Sequence, residues 1–153
     1  MDYNNIIKLD LSSRKKDKIL IDLFPLIIDI NNIKYLILED NKLNDASLLT
    51  KMYLYNLEFL DLSFNFITNI KFMKKISKKF KKIKALYLNN NKINNISPLI
   101  EIVQDGSMDL ILKLEVLTLK NNDLDLKDKT TKDILKMLVD KSELNIDYEK
   151  DFF

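Results

Sequence analysis

The side chains of this sequence that could carry chemistry are carboxylates, lysines and aromatics, because it contains neither histidine nor cysteine. Their absence removes the commonest general bases, the thiol nucleophiles and the usual zinc ligands. A single glycine, Gly106, excludes the glycine-rich loops that cradle phosphates. Three groups are left. Asp10, Glu39 and Asp61 are carboxylates spaced along the first half of the chain, and Tyr35, Ile37, Phe59 and Tyr87 are large apolar residues interleaved with them. The third group is the segment KFMKKISKKFKKIK, Lys71 to Lys84, which holds eight lysines and no acid. The other 139 residues carry 17 basic against 23 acidic side chains, a net −6, although the whole chain is nearly balanced at +2. No global field selects nucleic acid or membrane, so anion recognition would have to come from that strip.

What these groups can do depends on the elements that hold them, and those follow from a repeat. IKYLILEDNKL from Ile33, LEFLDLSFNFI from Leu57, IKALYLNNNKI from Ile83 and LEVLTLKNNDL from Leu114 share the pattern L-x-x-L-x-L-x-x-N-x-L. Asn41, Asn65, Asn91 and Asn122 fill the fixed asparagine, where a side-chain amide can satisfy backbone groups of a turn. The starts lie 24, 26 and 31 residues apart, a period that signals stacked supersecondary units. The L-x-L core alternates apolar and variable residues, the signature of a strand with one buried face. Between strands the spacing turns helical: Met73, Ile76, Phe80 and Ile83 form one apolar stripe. Ser97 before Pro98 marks a helix start.

A degenerate fifth copy precedes the others, with Ile6, Leu9 and Leu11 in the apolar frame and Arg14 at the asparagine position. Ile19 to Ile28 should add a short convex element interrupted by Pro25, and Val103 to Asp109, containing Gly106, a surface loop. After Asn122, Asp128 or Thr130 should cap a helix that buries Ile134, Leu135 and Leu138 and ends near Lys141. Leu144 and Ile146 restore the alternation for a last strand. The expected organisation is a single domain, 1–153, with an N-terminal cap and degenerate repeat at 1–32, four repeats at 33–126 and a C-terminal cap at 127–153.

The eleven-residue phrase, the spacings of 24 and 26 and the helix-then-strand ending resemble the short intracellular leucine-rich-repeat proteins of the SDS22-like class, over roughly Ile6 to Tyr148. Members to which the chain is similar include the leucine-rich light chain of axonemal dynein and small ciliary repeat proteins. The repeat subunit of the spliceosome and the repeat module of the nuclear messenger-RNA export receptor are others. The resemblance implies an α/β fold: a leucine-rich-repeat solenoid with a parallel concave β-sheet, short convex helices or 3-10 turns, and a C-terminal helix-plus-strand cap. It also implies a binding scaffold without catalytic activity.

In that fold the variable strand positions face the concave side. The first column is Lys8, Tyr35, Phe59, Ala85, Val116; the second is Asp10, Ile37, Asp61, Tyr87, Thr118; the third is Ser12, Glu39, Ser63, Asn89, Lys120. Tyr35, Ile37, Phe59 and Tyr87 then form an exposed patch beside Glu39, Asp40 and Asp61, and Val116 and Thr118 extend the same face. Contiguous exposed apolar surface marks a contact site, and aromatics are favoured interface anchors. The expected partner is a protein, offering an amphipathic helix or an extended segment with basic residues. The competing reading is that strands favour aromatics for cross-strand packing. Phe64, one step beyond a strand, is a lesser candidate expected to pack on the neighbouring turn.

Lys74, Lys75, Lys78, Lys79, Lys81 and Lys82 fall on the convex side, where they could meet RNA, an acidic protein tail or a lipid surface. A solvated face is the simpler reading, and the strip lacks the arginines and exposed aromatics that RNA recognition uses. Two alternatives to a protein adaptor therefore stand: a nucleic-acid-associated repeat protein using 71–84, and a structural subunit of an axonemal or cytoskeletal assembly. Catalysis is not expected: Asp10 and Asp61 would lie two strands, roughly 10 Å, apart on an open wet sheet. Neither a cofactor, a metal nor a small-molecule substrate is expected. The apolar run Ile19 to Ile30 is broken by Asp22, Pro25 and Asp29, so membrane insertion is not expected either. A cysteine-free chain whose first residues, MDYNN, lack a basic start is expected in the cytoplasm, with nuclear or axonemal sites as alternatives.

Overall fold

Each repeat contributes one strand only three residues long, so the sheet is held by stacking rather than by strand length. The computed structural model describes residues 8–15, 18–20, 22, 32–104, 114–141 and 145–147. Its strands are β1 (Lys8–Asp10), β2 (Tyr35–Ile37), β3 (Phe59–Asp61), β4 (Ala85–Tyr87), β5 (Val116–Thr118) and β6 (Asn145–Asp147). They form one six-stranded sheet in chain order, and every pair is parallel. The register has no offset: Leu9, Leu36, Leu60, Leu86, Leu117 and Ile146 stand in one row. Leu36, Leu60, Leu86 and Leu117 are fully buried, each contributing about 2 kcal/mol of hydrophobic stabilisation. The sequence is thus an α/β solenoid whose fifth, degenerate copy is a genuine strand. Because Lys8 pairs with Tyr35, Arg14 aligns with Asn41.

The convex side is set by spacer length. The shortest unit, of 24 residues, crosses in a 3-10 turn (Ser47–Lys51), which covers more distance per residue than an α-helix. Longer units hold α1 (Phe72–Lys79) and α2 (Pro98–Gln104), and α3 (Lys129–Lys141) follows the last full repeat. α1 packs between the 3-10 turn and α2, and α3 packs against β6. Met73, Ile76, Phe80 and Ile83 are all buried, as the stripe requires, with Phe80 just past the helix end.

Asp128 rather than Thr130 caps α3, its carboxylate accepting the Thr131 N–H at 2.7 Å. At α2 Pro98 takes the first helical position, while the Ser97 N–H donates to Asn95 Oδ1 at 2.7 Å. That side-chain turn recurs: Asp45, Asn69 and Asp125 accept the N–H of Ser47, Lys71 and Lys127. α2 also claims Val103 and Gln104, which the sequence reading placed in a loop, and the rest of that loop lies outside the described residues. Ile19 and Leu20 are buried, but Pro25, Leu144 and the terminal phenylalanines lie outside them too.

The asparagines staple neighbouring repeats. The Asn65 Nδ2 group shares its hydrogens among Leu38 O, Leu62 O and Ser63 O, each at 3.0 Å, and Oδ1 accepts the Leu43 N–H at 3.0 Å. Asn91 and Asn122 repeat the arrangement one and two units on, accepting from Ile67 and Ile93. The residue before each asparagine is left-handed: Asp40, Phe64, Asn90 and Asn121 have φ of 52°, 54°, 54° and 56°. The N–H groups of Asp40, Phe64 and Asn90 donate to Ser63, Asn89 and Lys120 carbonyls in the next repeat, which pins the conformation. At the other end of the strands, Lys34, Glu58, Lys84 and Glu115 make a column of alternating charge, with Lys34 to Glu58 at 3.1 Å and Lys84 to Glu115 at 3.4 Å.

Candidate functional site

Zero register offset brings Tyr35, Phe59 and Tyr87, from two columns of the sheet, into a continuous line of rings. Tyr35 and Phe59 have ring centroids 5.9 Å apart and Phe59 and Tyr87 4.9 Å, both tilted. Such pairs favour each other by about 0.5–1.5 kcal/mol beyond burial, so the rings fold onto one another. Tyr35 remains 41% exposed, while Phe59, Tyr87, Ile37 and Val116 are half-buried. The patch is therefore more ordered and less exposed than the sequence suggested. Thr118 does not belong to it. It is buried, donates its hydroxyl to Asn89 Oδ1 at 2.7 Å and accepts the Leu88 N–H at 3.1 Å. A short hydroxyl beside a backbone turn is drawn inward to satisfy it. Ser63, also assigned to the concave surface, is buried too, its N–H (2.9 Å) and hydroxyl (2.6 Å) both donating to the Asp61 carboxylate two residues back.

Carboxylates border the rings. Burial raises the pKa of Glu39, and the charges of Asp61, Asp40 and Asp10 raise it further. Asp10 is held below the usual range by the Ser12 hydroxyl and N–H, and Asp40 by Lys15 and Ser13. Folded Glu39 binds its proton more tightly than unfolded Glu39, so its ionisation costs stability as pH rises above 4.5. Glu39→Gln is expected to raise the urea midpoint at pH 7, with the advantage vanishing below about pH 4; an equal gain at both pH values would contradict this assignment. Asp10 and Asp61 align through Ile37, two strands apart, or roughly 10 Å. Among the described residues no group of carboxylates is arranged to hold a metal ion.

Residues 55–101 match the family model for leucine rich repeats, in two copies. That segment, from the second repeat into the third, carries leucine-rich repeats. No curated protein matches its sequence. Among solved structures it is similar to a leucine-rich-repeat protein of Leptospira interrogans (25% identity, TM-score 0.49, 75% of this chain and 31% of that one). It is also similar to internalin C2 of Listeria monocytogenes (23% identity, TM-score 0.45, 95% and 72% of the two chains). A second internalin of that organism, InlF, gives 19% identity and TM-score 0.46, with 95% and 48% covered. The chain thus spans about a third of the Leptospira protein and about half of InlF. Leucine-rich repeats serve in general as non-catalytic interaction modules.

The basic strip is partly committed to its own neighbours. Lys74 pairs with Glu101 at 3.2 Å, Lys79 donates to Thr50 O at 2.9 Å and sits 4.6 Å from the Tyr53 ring, and Lys82 donates to Asn56 at 2.6 Å. Lys75, Lys78, Lys81 and Lys82 are exposed, and Lys74 and Lys79 are half-buried. Phe72 and Phe80 are buried beneath them, so the strip itself presents no exposed aromatic, and the ring its lysines meet is Tyr53 of the preceding repeat. No described helix is long and apolar enough to cross a membrane.

The structure adds exposed aromatics that the strand columns do not contain. Tyr53 and Tyr55 pair at 5.8 Å and are 44% and 49% exposed. Phe64 and Phe66 are 49% and 48% exposed, so Phe64 does not bury itself against the neighbouring turn as expected. Comparing the repeats position by position outside the strands would have found the second pair, since its counterparts are polar.

Proposed function

We propose that this leucine-rich-repeat protein is a non-catalytic adaptor that receives a segment of a partner protein on its concave sheet face. The observation that carries the reading is the ring line Tyr35–Phe59–Tyr87, with contacts of 5.9 and 4.9 Å, on an open sheet face bordered by carboxylates. Stacked rings offer large contact area at small entropic cost. Glu39, Asp61 and Asp10 beside them favour a basic partner, whose lysine or arginine can lie over a ring and reach a carboxylate. The reading places an amphipathic helix or extended segment across β2, β3 and β4, in the cytoplasm, where a cysteine-free chain is at no disadvantage. The basic convex strip supports a nucleic-acid reading less well, because Lys74, Lys79 and Lys82 already have partners.

Proximity labelling with the intact chain, compared with a Phe59→Glu, Tyr87→Glu double variant, tests the adaptor reading. The variant is expected to stay folded by circular dichroism and to lose the proteins the intact chain labels. The captured complex should tolerate added salt far better than a complex held by phosphate contacts. An unchanged set of labelled proteins with a folded variant overturns the concave assignment.

A further inference from the structure

The turn that follows β3 departs from its counterparts at two positions at once. Before the fixed asparagine the repeats read Asp40, Phe64, Asn90 and Asn121; after it they read Lys42, Phe66, Lys92 and Asp123. The first position is left-handed in all four, with φ between 52° and 56°, a conformation that aspartate and asparagine tolerate and a bulky ring does not favour. The backbone does not call for phenylalanine there, since the Phe64 N–H donates to the next repeat just as Asp40 and Asn90 do. Nor does packing, for both rings stay half in solvent. Phe64 and Phe66 border a shallow depression of about 420 Å³ whose walls include Lys15, Asp40 and Lys42. That is room for one or two side chains. Lys92 Nζ lies 5.2 Å from the Phe66 ring centre. Asp40 is taken up by the Ser13 hydroxyl at 2.8 Å and by Lys15, so Lys42 and Lys92 leave the rim positive.

We propose that this turn surface is a second docking site, distinct from the concave ring line, for an acidic protein segment. One apolar or aromatic side chain of the segment enters between Phe64 and Phe66, and flanking carboxylates reach Lys42 and Lys92. Charge complementarity selects the occupant, and it is the opposite of the concave face, where Asp10, Glu39 and Asp61 favour a basic one. The two surfaces sort their partners by sign of charge.

The test is selection from a phage-displayed library of random dodecapeptides on the intact chain, against a Phe64→Asn, Phe66→Lys variant that carries the residues of the neighbouring repeats. Enriched peptides are expected to hold a leucine, phenylalanine or tryptophan flanked by aspartate or glutamate. They should bind the variant at least about tenfold more weakly and a Phe59→Ser, Tyr87→Ser variant as well as the intact chain, which separates this site from the concave one. The Phe64→Asn, Phe66→Lys variant should melt no lower than the intact chain. Basic or uncharged consensus peptides, no enrichment over the variant, or an unfolded variant each overturn the proposal. So does a dimer of the chain alone in sedimentation that the variant abolishes, because the occupant would then be a second copy.

Discussion

Replacing Asn65 with alanine should lower stability by about 3–4 kcal/mol, a large share of what a domain of this size possesses. The estimate rests on which groups lose their last partner. Leu38 O and Leu62 O keep the amides of Asn41 and Asn91, and Ser63 O keeps the Asp40 N–H. Those three losses cost about 0.5 kcal/mol each. The Leu43 N–H, buried and bonded to Asn65 Oδ1, is orphaned at about 2 kcal/mol. Asn65→Asp separates the two halves of the amide. It keeps an acceptor for Leu43 but points a buried carboxylate at three carbonyl oxygens, so it should fall further than alanine at pH 7 and recover on acidification. Asn122→Ala likewise gives up two carbonyl partners and orphans the Ile93 N–H, but at a half-buried position that solvent can reach, so it should lose less than Asn65→Ala. Urea denaturation of the three variants checks the order. Losses under about 1 kcal/mol throughout would mean that the amides are not the staples described here.

Two phenylalanines sixteen residues apart should respond in opposite directions. Phe80 is the largest fully buried side chain among the described residues, closing the end of α1 against the core with its N–H on Ile76 O at 2.7 Å. Phe80→Ala should cost about 3–5 kcal/mol, transfer energy plus the cavity left in a stack that cannot collapse along its axis. Phe64→Asn removes a half-exposed ring from a left-handed position and should gain about 1 kcal/mol. Thermal melts decide both. A destabilised Phe64→Asn would assign that ring to the architecture and remove it from the list of contact residues.

Most of the skeleton was legible because the repeat fixes it. Leu36, Leu60, Leu86 and Leu117 are buried in register, and the asparagines bond backbone as a side-chain amide at that place must. Arg14 betrayed the degenerate copy for the same reason. The surface was read less well. Alternation says that Thr118 and Ser63 face the concave side, but it does not say that one hydroxyl will be taken up by the Leu88 N–H and the other by the Asp61 carboxylate. Nor does it reach the turn residues themselves, so the sequence reading packs Phe64 on the neighbouring turn and does not single out Phe66, whereas both rings are about half exposed. Loop length misled at Val103 and Gln104 because the helix that starts at Pro98 runs its two turns, much as Phe72–Lys79 does, before the extra residues of the longer unit begin.

The column Lys34, Glu58, Lys84, Glu115 pairs each charge with its opposite only while the units keep their order. Deleting either inner unit would seat lysine on lysine or glutamate on glutamate in adjacent strands, and like charges directly opposed are destabilising. Deleting both would restore an attractive pair. The strand edge therefore carries a parity check: single-unit gains and losses are penalised where paired ones are not, which biases how such an array can grow or shrink by duplication.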